Sequence, residues 1–270
     1  MPAEATQGEL KYTVPTGEMP VRYKGFPPGT RHDILAQFET RTMTIRNGRP
    51  AGTAFSLDRH GFTLLDRPTT ADDLYDDAVV RDVYYPETAA MVRDATGASR
   101  VLVFDHTLRS SAPGRKGTAG VRGPAHRVHN DYTETSGPQR VRDLLPREAE
   151  RLLARRFAIV NVWRPIAGPL EDAPLAVCDA SSAATDDFLA SALIYPDRAG
   201  ETYGVAYNAR HRWFYFPDMR ADEALLFKCY DSDASRARFT PHSAFRDPRA
   251  PVPPRPRESI ETRMLVFFDP

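Results

Sequence analysis

Ser259 to Asp269, SIETRMLVFFD, is the stretch that decides how the rest of the chain is read. Its second half is an unbroken apolar run of a length suited to a strand, bounded on one side by Asp269 and on the other by polar residues. It follows directly on PRAPVPPRPR, Pro248 to Arg257, where proline removes backbone donors and forbids regular ladders. A linker to a separate domain would leave a single strand with nothing to pair with, so the proline segment reads as an ordered connection and Ser259–Asp269 as the last buried strand of one domain. The expected domain is residues 1–270, with an N-terminal extension over about residues 1–20.

Working back from that strand, β-branched and aromatic residues dominate a series of short segments. These are TRTMTIRN (Thr40–Asn47), TAFSLDRHGFTLLD (Thr53–Asp66), RVLVFDHTLR (Arg100–Arg109), HRVHNDYT (His126–Thr133), FAIVNVWRPI (Phe157–Ile166), PLAVCDA, TYGVAYN, RWFYFP and ALLFKCYDS. Two stretches predict helix: Ala71–Thr96, broken near Pro86, and Gln139–Arg156, where Leu144, Leu145, Leu152 and Leu153 share a face. Strands, a helix, then mostly strands is the order of a mainly β domain with flanking helices, a barrel or two-sheet jelly roll rather than alternating βαβ units.

Composition narrows the function classes. Lys+Arg and Asp+Glu each number 36, so the net charge of zero gives no reason to expect nucleic acid or an anionic membrane as partner. A small molecule is the default ligand, and oligomeric state is not written in the pattern. Cys178 and Cys229 sit in apolar runs and form no CxxC pair, which suits buried thiols in a reducing cytoplasm. No signal-peptide pattern opens the chain and no apolar run approaches the roughly 20 residues of a bilayer span. Neither GxGxxG nor GxxxxGK[ST] occurs, so the nucleotide cradles of those types lose support.

Within HRVHNDYTE, His129 and Asp131 lie two apart and are expected on one side of a strand. Seven histidines make one His-x-Asp pair unsurprising, so the tripeptide alone carries little. Joined by the distant His242 in RFTPHSAF, it becomes two imidazoles and a carboxylate, a set that leaves three positions of an octahedral metal open for cosubstrate and O₂. His126 would need a bend to join them and is assigned to the surroundings or the surface. A dicarboxylate cosubstrate such as 2-oxoglutarate would also need a cation for its remote carboxylate. Arg263, inside the terminal strand, ranks first and Arg257 second, while Arg246, Arg249 and Arg255 read as solvated. Asn161, Trp163 and Arg164 stand inside an apolar strand and point to polar occupants of the interior. Asp105, His106 and Tyr132 are candidates to line a pocket.

These segments together resemble a known family. HNDYTE, VNVWRPI, GPLEDAPLAVCDASS, RWFYFPDM, DEALLFKCYDS, TPHSAF and PRESIETR are similar to the lineage of 2-oxoglutarate oxygenases that contains the cephamycin 7α-hydroxylase component and fungal gibberellin desaturase-like proteins. The resemblance runs from about Arg22 to Phe268. It implies a double-stranded β-helix (cupin-like jelly roll), Fe(II) held by His129, Asp131 and His242, and 2-oxoglutarate and O₂ as cosubstrates. The implied reaction is hydroxylation or desaturation of a small secondary metabolite through an Fe(IV)-oxo species, with release of succinate and CO₂. Both Arg257 and Arg263 fall in the matching motif, and Arg257-Glu258-Ser259 is also a formal match to an Arg-x-Ser clamp. A redox-neutral zinc enzyme with the same three ligands, and a non-catalytic jelly-roll binding partner, are the competing expectations.

Overall fold

The computed structural model describes residues 4–27, 29–50, 55–115 and 117–269. In chain order the strands are β1 (Ala5–Thr13), β2 (Val21–Tyr23), β3 (Phe38–Asn47), β4 (Phe62–Asp66), β5 (Arg100–Ser110), β6 (Val121–Arg122), β7 (His129–Asn130) and β8 (Phe157–Pro165). They continue with β9 (Leu175–Cys178), β10 (Phe188–Ile194), β11 (Ala199–Val205), β12 (Trp213–Tyr215), β13 (Glu223–Asp231), β14 (His242–Ala244) and β15 (Glu258–Phe267). Two sheets result among the described residues, ordered β1-β3-β12-β9-β14-β7-β11-β10-β2 and β4-β13-β8-β15-β5-β6. This is the jelly-roll arrangement, with one core between the sheets and others outside them.

The terminal strand β15 lies inside its sheet, antiparallel to β8 on one side and β5 on the other. Alternation sends Leu265 and Phe267 into the core between the sheets, against Phe157, Ile159 and Trp163 of β8. Met264 and Val266 go to the other face, where they meet Val160 and Val162 of β8 and Met91 and Val92 of a helix. All nine residues of β8 are buried, because both of its faces are covered. Opposite Arg263 and Met264 the β5 partners are Asp105 and Val103, so Phe104 is an extra residue bulged out of the ladder.

The covering helix is continuous where a break near Pro86 was expected. α1 (Asp77–Val79) passes through a π turn at Val80–Tyr84 into α2 (Tyr85–Thr96), and Pro86 directly follows that wider turn, so the register changes there without the helix ending. The second expected helix is instead two, α3 (Ser136–Leu144) and α4 (Ala149–Leu153), because Pro146 pushes Leu145 out of helical geometry (φ −131°, ψ 52°). All four of its leucines still pack on the core between the sheets. Of the expected strand Thr53–Asp66, Thr53 and Ala54 lie outside the described residues, Ser56–Gly61 forms turns, and only Phe62–Asp66 enters the ladder.

The largest departure is at the N-terminus. Ala5–Thr13, taken as part of an extension, is β1, paired along its whole length with β3. Leu10 and Tyr12 are fully buried in a second core behind the larger sheet, with Trp213, Tyr215 and Phe245. There Trp213 Nε1 donates to Tyr12 Oη at 2.8 Å. Tyr12→Phe leaves that buried indole N–H without its acceptor, so a loss of about 2 kcal/mol is expected, read as a lower urea midpoint at unchanged slope. A midpoint that did not move would show that β1 unfolds apart from the rest.

Candidate metal centre

β7 ends at Asn130, so Asp131 is placed by the bend that leads toward α3 and not by strand alternation. Its carboxylate still returns to His129, with Oδ1 3.6 Å from Nε2. β14 brings the third group, because His242 is the cross-strand partner of His129 and their ring centroids lie 4.3 Å apart. The donor atoms of His129, Asp131 and His242 all fall within 4.8 Å of one another. His126 is exposed and stands outside this group.

Each ligand is aimed by a neighbour. His129 Nδ1 donates to the carbonyl of Arg127 at 2.7 Å and His242 Nδ1 to that of Thr240 at 3.0 Å, which fixes the tautomers and turns both Nε2 lone pairs inward. Asp131 Oδ2 accepts from Asn161 Nδ2 and Arg263 Nε, both at 2.9 Å, leaving Oδ1 on the side of the imidazoles. Between the two ligands Asn130 points the other way. Its amide donates to the carbonyls of Tyr132 (2.7 Å) and Cys229 (2.8 Å), and its oxygen accepts from Thr240 N (3.2 Å). One fully buried side chain thus ties the His129–Asp131 turn to β13 and to the loop that carries His242. Thr240 in turn donates to the Gly61 carbonyl at 3.0 Å, where φ of +86° and a Cβ position 2.3 Å from Thr240 Oγ1 admit only glycine.

The electrostatics suit a cation. Burial and the neighbouring His242 push the His129 imidazole down to about 3, so it is neutral at physiological pH. Burial alone would raise Asp131, but the charge of Arg263 and the two imidazoles outweigh it and hold the carboxyl well below its usual range. Two imidazole nitrogens and one carboxylate oxygen, with open space on the remaining side, form a facial set.

Arg263 and Arg257 differ in what they already hold. Arg263 donates to Asp131, to Asp105 (3.1 Å) and Thr107 (3.0 Å), and to Glu261, so three carboxylates satisfy it. Arg257 is 2% exposed, gives Nε to Ser259 Oγ (2.9 Å) and Nη1 to the Ala173 carbonyl (2.8 Å), and stacks on Trp163 at 4.9 Å. Among the described residues no carboxylate comes within ion-pair distance of it. Burial, with Arg109 beside it, pushes its guanidinium down to about 9. Trp163 Nε1 next to it is a buried donor without a partner. Asp105, His106 and Tyr132 border a neighbouring cavity of about 280 Å³. Arg164 is also buried, bonding the Ala221 carbonyl and lying over the Tyr84 ring at 5.6 Å.

A family model described as an oxidoreductase/YMDC permease-like domain matches residues 10–267. The chain is 34% identical to the hydroxylase/desaturase efuI of Hormonema carpetanum, over 89% of this chain and 88% of that protein. It is 34% identical to the Fe(II)/2-oxoglutarate-dependent dioxygenase nvfI of Aspergillus novofumigatus, over 83% and 82%. This chain belongs to the Fe(II)/2-oxoglutarate-dependent dioxygenase family. Its backbone agrees with that of the iron and alpha-ketoglutarate-dependent endoperoxidase NvfI at a TM-score of 0.88, with 28% identity and 99% of both chains covered. As a member it is an oxidoreductase that requires Fe(II), 2-oxoglutarate and O₂. The zinc-hydrolase and binding-protein expectations lapse with that membership. The donor set fits ferrous iron, and the buried Arg257 beside the unpartnered Trp163 indole fits a dicarboxylate.

Proposed function

We propose that the chain, as a single oxygenase domain, hydroxylates or desaturates a small natural product. In this reading His129 Nε2, Asp131 Oδ1 and His242 Nε2 hold the iron, and Arg257 pairs with the remote carboxylate of 2-oxoglutarate. The observation that carries it is the coexistence of the three convergent donors with a buried arginine that has no carboxylate partner among the described residues. Arg263 therefore passes from first to second place. Its role is to hold Asp131, and a further carboxylate would have to displace one it already binds. Bound iron supplies the centre at which O₂ is reduced and the substrate oxidised. The protein's part is orientation: Arg263 and Asn161 fix which carboxylate oxygen faces inward, and Arg127 and Thr240 carbonyls fix the imidazoles. Phe227, its ring 4.7 Å from His242, keeps that side of the site dry. Among the described residues no helix is long and apolar enough to cross a membrane, and both cysteines are buried and free, which supports the cytoplasm as the compartment.

The test is anaerobic addition of Fe(II) and then 2-oxoglutarate to metal-free protein, followed by visible absorbance. A weak charge-transfer band in wild type that His242→Ala lacks is the expected result. Stoichiometric iron binding with no band on adding 2-oxoglutarate would overturn the reading.

Asn161→Ala removes one of the two donors to Asp131 Oδ2 without touching the metal. Losses of this kind cost about 10–100-fold in metal affinity, so a roughly tenfold rise in the Fe(II) dissociation constant is expected by chelator competition. Unchanged affinity would assign the orientation of Asp131 to Arg263 alone.

A further inference from the structure

The cavity over the metal centre, about 630 Å³, runs from His129, Asp131 and Arg263 outward between β5, β7, β10 and the N-terminal segment. Its charge is lopsided. Besides Arg263, the side chains of Arg22, Lys24, Arg109, Arg122 and Arg127 line it, and the one carboxylate on its wall is Asp131. Asp131 is committed to Arg263 and the metal-facing side. Among the described residues Lys24, Arg109, Arg122 and Arg127 form no ion pair, and Arg22 has only a 3.8 Å contact with Asp33. The molecule as a whole carries 36 cations against 36 anions, so this concentration is not a by-product of a basic protein. Nor does the cosubstrate account for it. In the reading above, the metal takes one end of 2-oxoglutarate and Arg257, which is not on this wall, takes the other.

Two of these cations are held in place. Arg109 projects from β5 and donates Nη1 to the Gly123 carbonyl at 2.9 Å. Arg127 stacks on Phe38 at 5.6 Å. The rest of the wall combines an apolar patch of Phe38, Leu189 and Leu193 with hydroxyl-bearing residues such as Thr13, Ser191 and Thr202. A cleft lined by one sign of charge over low-dielectric walls focuses the potential on whatever enters it.

We infer that the substrate is an anionic small molecule: an apolar body bearing a carboxylate, held by Arg109 and Arg127 while its reacting carbon lies over His129, Asp131 and His242. The inference rests on the proposed function and names the substrate class of that site. A volume of about 630 Å³ accommodates a molecule larger than 2-oxoglutarate and falls in the usual range for small-ligand sites.

The test uses the anaerobic Fe(II)·2-oxoglutarate complex and two matched probe pairs, decanoate and 4-phenylbutyrate against their primary amides, with binding followed by calorimetry. Each acid is expected to bind at least about tenfold more tightly than its amide, and the preference should shrink as salt is raised. Arg109→Met and the more exposed Arg127→Gln should each reduce the preference severalfold, with the 2-oxoglutarate band intact. Equal binding of acid and amide, no saturable binding of either acid, or a preference that survives both substitutions would overturn the proposal. So would substitutions that weaken only the 2-oxoglutarate band, because the arginines would then serve the cosubstrate. Absence of the band in wild type is a separate outcome that removes the underlying reading instead.

Discussion

Arg257→Met is expected to raise the 2-oxoglutarate concentration for half-maximal turnover by about 100-fold while leaving kcat at saturation within a fewfold of wild type. The argument is electrostatic. Arg257 is buried against Trp163, its side-chain hydrogen bonds go to a hydroxyl and a backbone carbonyl, and among the described residues no carboxylate forms an ion pair with it. A carboxylate reaching that point would gain a charge-assisted pair in a low-dielectric setting, worth about 3 kcal/mol when one partner is truncated. At 1.4 kcal/mol per decade, that is about two decades in affinity. Because the proposed contact is to the remote end of the cosubstrate, the loss is expected in binding and not in the chemical step. Arg263→Met is the informative contrast. It strips the cation from Asp131, Asp105 and Glu261 together, so weaker Fe(II) binding and lower stability should come before any selective effect on 2-oxoglutarate. Should Arg263→Met alone shift 2-oxoglutarate saturation, with iron affinity and melting temperature unchanged, the order of the two arginines would revert.

The sequence puts Arg263 first and the proposal puts Arg257 first, and the difference is a matter of register. Arg263 stands well inside an apolar run, and an arginine among Ile260, Leu265 and Phe267 demands a partner. What the run does not display is that the partners are already present, one two residues away at Glu261 and the others across the ladder at Asp105 and beyond the sheet at Asp131. The Asp105 pairing lies beside the bulge at Phe104, which no local pattern announces. Arg257 sits at the end of the proline segment, where exposure is the default, and its burial is made by Ala173 and Trp163 from elsewhere in the chain. The Arg-x-Ser spacing was the available signal, and Arg257 Nε does bond Ser259.

The strands show the same division. β8, β13 and β15 are buried on both faces or nearly so, and such strands read as continuous β-branched and aromatic runs. β1, ATQGELKYT, is polar at every second position, and Leu10 and Tyr12 are the only large apolar side chains it buries, so its place depends on the Trp213 and Phe245 core that forms around it. Asn130 illustrates a polar residue whose meaning is entirely tertiary. Flanked by two candidate ligands it looks like spacing, and only the fold shows it binding β13 and the His242 loop together.

Asp131→Ala should abolish stoichiometric Fe(II) binding and lower turnover by about a thousandfold or more, while the protein stays folded. Asp131 is the one carboxylate among the three candidate donors, so its removal leaves a dication facing two imidazoles with no compensating charge. Loss of a residue that merely orients a ligand costs about 10–100-fold, and loss of the ligand exceeds that. The fold is expected to survive because Arg263 is not stranded. It retains Asp105 and Glu261 when Asp131 is gone, unlike a buried pair from which one charge is removed outright. Two readouts taken together separate the roles. Metal content by elemental analysis should fall to near zero, and the thermal midpoint of the metal-free variant should stay within a few degrees of metal-free wild type. Retained iron with lost turnover would mean that Asp131 acts after metal binding. A collapsed midpoint would mean that the Arg263 cluster, and not the metal, is what Asp131 chiefly serves.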